Sequence, residues 1–214
     1  TAVTSANLAN GSTFNINGGD FISGGSITID GDINWSSGSV TSGGVVTIGN
    51  TGTVTMSGDN TLIATSMVNN GTFQKTGGTG TSQLTIGSFT NVGNVFANSG
   101  TLAFGANYTQ TDGQLTLNGG NVQATSLLLN GGLLSGAGTI IGNVTNNSTV
   151  RPGFSPGQLF INGNYTQGSS GVLLMETAGT TAGNFDTLFV TGTASLDGTL
   201  DINPIAPYDG NAVI

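Results

Sequence analysis

Few residues in this chain of 214 could carry acid–base or metal chemistry. It contains ten acidic and two basic side chains, and it has neither histidine nor cysteine. These absences exclude a Ser-His-Asp triad, a Cys-His pair and the usual zinc ligand sets. Asp30 and Asp32 have the most suggestive spacing, since they lie two apart on either side of Gly31. Three interpretations are open for this pair: two solvated turn residues, a weak Ca²⁺ site made of carboxylate oxygens, or an acid–base pair.

The two cations, Lys75 and Arg151, limit the chemistry further. A polyuronate-cleaving site needs basic groups beside its acids, and these two residues are far apart in the chain. We therefore expect that they do not meet and that Arg151 makes a local ion pair or carbonyl contact. Gly-x-Gly strings such as Gly136-Ala137-Gly138 follow from the glycine content and indicate no nucleotide site. The expectation is a protein that is not an enzyme and needs no cofactor.

The net charge of −8 argues against two classes of partner. A surface with two cations cannot neutralise a phosphate backbone, so we expect no nucleic-acid binding. Attraction to anionic lipid is disfavoured for the same reason. No apolar window is long enough for a membrane helix, so no direct membrane span is expected in this stretch.

Three further features could bind a ligand. Trp35, the single tryptophan, would stack on a sugar if exposed or cap the core if buried, and we favour packing. Thr-x-Thr pairs would form an ice-binding face only if they lay in register on successive turns, and they recur irregularly, at 51/53, 53/55, 109/111 and 191/193. Asn-x-Ser/Thr sequons matter only in a host that glycosylates secreted asparagines. They begin at Asn10, Asn34, Asn70, Asn107, Asn143, Asn146, Asn147 and Asn164.

Short strands must position these residues. Charged residues make up 6 % of the chain, and the polar surface is left to Asn, Thr, Ser and Gly, which favour turns and strand faces over helices. Apolar and polar residues alternate in runs of about four, the pattern of a strand with one buried face. Such runs occur at 26–30, 53–56, 83–86, 101–104, 114–117, 158–161 and 186–190.

The spacing of these runs predicts a solenoid. Glycines that precede an alternating run stand at positions 25, 44, 52, 71, 93 and 113. The steps from 25 to 44, from 52 to 71 and from 93 to 113 are about 20 residues each, so similar segments recur with that period. An antiparallel β-sandwich is the alternative, because Asn-Gly is also a hairpin signal. Sandwich strands are usually longer and do not require a fixed period, so the alternation and the period favour a coil of short strands.

From about Phe89 onward, several motifs recur in a fixed order. They are Asn107-Tyr108-Thr109-Gln110, Gly131–Ile140, Arg151-Pro152-Gly153-Phe154-Ser155-Pro156-Gly157, Asn164-Tyr165-Thr166-Gln167 and Val190–Leu200. This order resembles the passenger repeats of bacterial autotransporter-type and adhesin-like surface proteins. The resemblance covers residues 89–214 closely, while residues 1–88 share its composition and period.

The resemblance implies an all-β, right-handed parallel β-helix exported to the bacterial cell surface. We expect 1–88 and 89–214 to be continuous rungs of one solenoid, truncated at the C-terminus. Pro152 and Pro156 should fix an irregular turn between rungs. Tyr165 should cover the core edge with its hydroxyl toward solvent or backbone, and Asp186 and Asp197 should accept turn N–H bonds.

The expected function is an extracellular structural or adhesive protein, a stiff stalk or fibre subunit. Its expected partners are further copies stacked end to end, glycans or other surface proteins. Open solenoid ends expose strand edges, which favours a filament. A carbohydrate-active enzyme on the same coil and an ice- or mineral-binding protein are the alternatives.

Overall fold

The computed structural model describes residues 4–205, which form 23 β-strands and no helix. The strands are β1 Ala6–Leu8, β2 Thr13–Ser23, β3 Ile27–Ile29, β4 Asp32–Ser42, β5 Val45–Ile48, β6 Thr53–Met56, β7 Thr61–Ile63, β8 Ser66–Asn69, β9 Thr72–Lys75, β10 Thr81–Thr85, β11 Phe89–Asn91, β12 Asn94–Ala97, β13 Thr101–Phe104, β14 Tyr108–Gln110, β15 Gln114–Leu129, β16 Leu133–Asn146, β17 Thr149–Pro152, β18 Gln158–Asn162, β19 Tyr165–Gln167, β20 Val172–Thr177, β21 Thr187–Val190, β22 Ala194–Ser195 and β23 Thr199–Pro204.

The strand ladders are parallel and follow three faces of the coil. Sheet I contains β1, β3, β5, β8, β11, β14, the ends of β15 and β16, β19 and β22. Sheet II contains the starts of β2, β4, β15 and β16 together with β6, β9, β12, β17, β20 and β23. Sheet III contains the end of β2, the later part of β4, the middles of β15 and β16, and β7, β10, β13, β18 and β21.

One turn of the chain therefore visits sheets I, II and III in order and returns one rung further along. There are about eight rungs, roughly 20 residues apart. This confirms the parallel β-solenoid and excludes the antiparallel sandwich. The right-handed sense of the coil stays a prediction. Pairing continues across residues 88 and 89, since β10 and β11 each pair with strands on both sides.

The core runs along the axis of the coil. Inward residues alternate with outward ones, and the buried cluster is continuous from Ile16 to Leu173. Aromatic rings pack together in its centre: the ring centroid of Phe89 lies 4.4 Å from that of Phe104 in the same turn and 5.0 Å from that of Tyr108 in the next rung. Because each rung between the two ends packs its inner face against two neighbours, the rungs share one continuous core without disulfides.

Glycine is required where one rung closely approaches the next. Gly113, at the corner between sheets I and II, has a φ of +67°. A Cβ there would collide with the carbonyl oxygen of Gly93 in the preceding rung. The corner therefore needs both the left-handed backbone and the missing side chain.

Candidate functional site

Asp30 and Asp32 lie on two sides of one corner. Asp30 follows β3, with its carboxylate against Gly49, where a side chain would collide with it. Asp32 is the first residue of β4 and is exposed. Residues 4–205 contain no group of three or more acidic, histidine or cysteine side chains suited to a metal. Ca²⁺ prefers six to eight oxygen ligands, so calcium binding by this pair stays a prediction with no further support.

Trp35 is a core residue, as we expected. Its side chain is 2 % exposed. With the Asn60 amide oriented so that its oxygen faces the indole, the Trp35 N–H donates to that oxygen at 3.0 Å and the amide nitrogen donates to the Gly58 carbonyl at 2.8 Å. Burial of the ring removes the sugar-stacking interpretation of this residue.

Lys75 is fully buried, which the sequence analysis missed. It occupies the inward position that Met56 fills one rung earlier, at the corner between sheets II and III. Its Nζ donates to the carbonyl oxygens of Gly58 at 2.8 Å and Gly77 at 2.9 Å, and to Asp59 Oδ1 at 2.9 Å. The hydrogen bond and the charge of Lys75 lower the pKa of Asp59. The ammonium thus closes a corner and is not available to an external ligand.

Two buried carboxylates meet at a second corner, near the C-terminal end of the coil. Asp186 is 3 % exposed and Glu176 is 7 % exposed. Asp186 accepts the backbone N–H groups of Gly157 and Glu176, each at 2.8 Å. The Ser155 hydroxyl donates to Glu176 Oε2. We call Ser155, Gly157, Glu176 and Asp186 the acidic clasp, because it joins two loops that lie far apart in the chain.

The acidic clasp confirms the predicted turn role of Asp186. Burial raises its pKa, against the lowering effect of the two backbone N–H bonds. The Arg151 guanidinium also acts on this pKa, in the lowering direction. Within residues 4–205, however, Arg151 forms no ion pair, and its buried Nε has no hydrogen-bond partner. The expected local contact of Arg151 is therefore absent at Nε.

The turn around the two prolines is irregular, as we expected, but its place differs. It joins β17 to β18 inside one rung, where sheet II passes to sheet III, and does not lie between rungs. Gly153 has a φ of +79°, and a Cβ there would collide with the backbone of Gly157. Asp197 fulfils its predicted role, since its Oδ1 accepts the N–H of Gly198 at 2.7 Å.

A row of buried amides lines the corner between sheets I and II. We call Asn69, Asn91, Gln110, Asn146 and Gln167 the amide ladder; all five occupy the last inward position of a sheet I strand and are at most 4 % exposed. Asn69 Nδ2 donates to Asn91 Oδ1 at 2.8 Å, and Asn91 Nδ2 donates to Gln110 Oε1 at 3.3 Å. The ladder connects rungs through side chains in addition to the backbone.

The amide ladder also bonds the corner backbone. Gln110 Nε2 donates to the carbonyl oxygens of Gly131 and Leu133, at 3.1 and 3.2 Å. Gln167 Nε2 does the same for Thr199 at 2.9 Å. Buried carbonyls left without donors would cost free energy, so the amides stabilise a corner where the sheet hydrogen bonding is interrupted.

Tyr165 corrects one expectation. It is 0 % exposed, and its hydroxyl reaches neither solvent nor backbone. The hydroxyl accepts from Asn146 Nδ2 at 3.1 Å and donates to Gln167 Oε1 at 2.9 Å. Burial raises the pKa of Tyr165 to about 12. The tyrosine is thus a link within the amide ladder.

The Thr-x-Thr pairs do not align. Thr53 and Thr55 both face outward from β6, but the strand beside them presents Asp32 and Asn34 at the same positions. A regular ice-binding face needs the pair on successive rungs. The strand register at Thr53 and Thr55 therefore agrees with the irregular recurrence of these pairs in the sequence.

Comparison of the chain with protein-family profiles, with curated proteins and with solved structures finds no match in any of the three. Residues 4–205 contain no helix of the length and apolarity that a membrane crossing requires.

Proposed function

We propose that this chain forms part of the rod of an extracellular structural or adhesive protein, comparable to the passenger of a bacterial autotransporter. Support for the surface setting is the ordered set of motifs after Phe89, of which Asn-Tyr-Thr-Gln and Arg-Pro-Gly-Phe-Ser-Pro-Gly are the most specific. The role of a stalk rests on the fold, and the location and the adhesive role rest on these motifs.

One observation carries the proposal: the strand ladders and the core continue from rung to rung. Backbone bonds join each rung to the next in three sheets, so bending the coil would break bonds on one face. The outer surface has few charges and many Asn, Thr and Ser side chains, which suit contact with neutral surfaces. Such a body provides length and stiffness.

We propose that the rod is not an enzyme, because its buried acids are already occupied. Both Asp186 oxygens accept backbone N–H groups, and Glu176 accepts the Ser155 hydroxyl. A catalytic acid must reach the substrate oxygen that it protonates. An assay for new reducing ends on neutral and acidic polysaccharides tests this proposal. A cleavage activity that disappears in Asp30→Ala/Asp32→Ala or in Glu176→Gln would overturn it.

The shape and location can be tested separately. Eight rungs at about 4.8 Å each give a described coil roughly 40 Å long, which small-angle scattering measures directly. Antibody labelling of intact source cells, with and without external protease, tests the surface location. Labelling only after cell lysis would contradict the extracellular role while leaving the rod in place.

We also propose that copies stack end to end. At one end of residues 4–205, Leu8, Phe14 and Phe21 line an apolar depression of about 320 Å³. At the other end, Leu200 and Ile202 on β23 are 62 % and 53 % exposed. A head-to-tail contact of two different ends forms an open filament. Sedimentation velocity over a range of concentrations, with cryo-microscopy, should show longer rods; monomers at every concentration would count against the proposal.

A further inference from the structure

Two phenylalanine rings pack side by side on the outside of the coil, where most outward positions are polar. Phe160 on β18 and Phe189 on β21 are register partners in sheet III. Their ring centroids are 5.6 Å apart, with the planes tilted by 48°. The residues are 39 % and 51 % exposed, so the pair presents aromatic surface to solvent.

The same outward row is polar in the preceding rungs. Phe160 pairs with Thr139, and the row continues backward through Asn121 and Thr101. Strand formation at this position therefore does not require an aromatic residue. The change from hydroxyl and amide side chains to two adjacent phenyl rings needs another explanation.

Two more exposed phenylalanines lie in the loops that lead into these strands. Phe154 is 52 % exposed and belongs to the turn before β18, and Phe185 is 39 % exposed and directly precedes Asp186. The Asp186 carboxylate accepts the Gly157 N–H, which joins the two loops. We call the stacked pair, Phe160 and Phe189, the aromatic platform. The acidic clasp thereby joins the two loops that lead into the platform strands β18 and β21.

The immediate neighbours of the stacked rings are uncharged hydrogen-bonding groups. Gln158 and Thr187 are register partners two residues before the rings, and Asn162 and Thr191 follow them. The Thr191 hydroxyl donates to Asn162 Oδ1 at 3.2 Å, so these two side chains already form an ordered polar edge. The platform therefore combines apolar rings with amide and hydroxyl groups along both edges.

We propose that the aromatic platform binds a neutral polysaccharide, an inference that rests on the adhesive role proposed above and names its ligand class. The face of a phenyl ring carries negative charge density, which attracts the C–H groups on the flat side of a sugar ring. The sugar hydroxyls would then meet Gln158, Asn162 and Thr187. Two tilted rings side by side suit successive sugars of a chain that turns from one unit to the next.

The charge of the protein favours a neutral polysaccharide over an acidic one. The chain has a net charge of −8, and the residues flanking the two rings supply no cation. Uronate or sulfate groups would be repelled by the acidic protein and would find no basic partner beside the rings. A second protein is a less suitable occupant, because two half-exposed rings offer far less than the roughly 800 Å² that each partner buries in a stable protein interface.

The test is affinity electrophoresis through gels that contain hydroxyethylcellulose, galactomannan or, for comparison, polygalacturonate. We expect retardation by a neutral polymer and none by the acidic one. Phe160→Thr/Phe189→Thr restores the residue type found in earlier rungs and should weaken binding by about tenfold or more. Phe160→Tyr/Phe189→Tyr keeps the rings and should retain binding.

Ile63→Thr is the matched control. Ile63 is 43 % exposed on the outside of sheet III and pairs with Thr41, so this variant removes a comparable apolar surface far from the platform. Circular dichroism must show that each variant keeps the native fold. Equal retardation of wild type and Phe160→Thr/Phe189→Thr, no retardation by either neutral polymer, or concentration-dependent dimers lost in that variant would each overturn the inference. The tests of rod shape and surface location use no polysaccharide. A negative result in those tests is therefore distinguishable from a negative result for polysaccharide binding by the platform.

Discussion

The amide ladder can be tested by replacing Asn91 with leucine, the residue that occupies the same ladder position at Leu129. Asn91 Oδ1 accepts from Asn69 at 2.8 Å, and its Nδ2 donates to Gly93 O at 3.0 Å and to Gln110 Oε1 at 3.3 Å. Leucine has the same number of side-chain heavy atoms, although it is bulkier, and it removes all of these bonds. The change therefore tests hydrogen bonding at a position where a later rung already packs leucine.

The expected magnitude follows from the partners that remain. Asn69 keeps a bond to Asn94 O at 3.0 Å, and Gln110 keeps one from the Tyr108 hydroxyl at 3.2 Å, so neither amide is left entirely unpaired. A net loss of about 1 kcal/mol per bond, partly offset by the apolar leucine, gives a destabilisation of about 2–3 kcal/mol. The corresponding fall in Tm is roughly 5–10 °C for a chain of this size.

The control is Thr90→Val on the same strand, since Thr90 faces outward while Asn91 faces inward. Urea unfolding followed by far-UV circular dichroism compares the two variants, and Trp35 fluorescence separately reports rungs near the N-terminal end. Thr90→Val should lie within about 0.5 kcal/mol of wild type. If Asn91→Leu were as stable as Thr90→Val, the ladder would contribute no stability and the reasoning would be refuted.

Three further predictions concern the corners. Lys75→Met should be less destabilising in urea than Lys75→Ala, because methionine fills the space of the buried stem, as Met56 does one rung earlier; equal midpoints would contradict this. Burial raises the pKa of Asp186, so its contribution to stability is fully present below the unfolded value and is lost as pH rises through the folded value. Tm measured from pH 3 upward should therefore fall less steeply in Asp186→Asn above about pH 4, and parallel curves would exclude the effect. Gly113→Ala should be more destabilising than Gly119→Ala, since both glycines have positive φ but only Gly113 lacks room for a Cβ, and thermal melts that rank them the other way would refute the steric argument.

The solenoid could be predicted because its signals are local. Alternation places a residue inside or outside whatever its distant partners are, and the glycines at 25 and 44 mark one full turn. The two copies of the Asn-Tyr-Thr-Gln motif end in Gln110 and Gln167, which are members of the amide ladder. Alternation in Tyr108-Thr109-Gln110 puts the tyrosine and the glutamine on the same side, and the core is the side that tyrosine favours. The signal was present, but glutamine is usually exposed.

The corner sites were not predictable in the same way. Lys75 shares the inward side of β9 with Phe73, but only the loops of two rungs supply the carbonyl oxygens that make burial of an ammonium tolerable. The acidic clasp joins Gly157 to Asp186 across an insertion between β20 and β21. Neither arrangement has a local pattern, because each depends on how far a loop extends before the chain returns to the ladder.

The length of a rung and the identity of its outward side chains can vary independently in this coil. In sheet I, Leu127 pairs with Val144 after 17 residues, whereas Tyr165 pairs with Ala194 after 29. The ladder is the same in both cases, so the corner loops absorb the difference. Buried amides, Lys75 and the acidic clasp stabilise these corners from within, and the outward residues of each strand are consequently little constrained by folding. A phenyl pair can replace threonine on sheet III for this reason. Specificity in such a rod is therefore expected in outward side chains and inserted loops, and the aromatic platform is an example of the outward side chains.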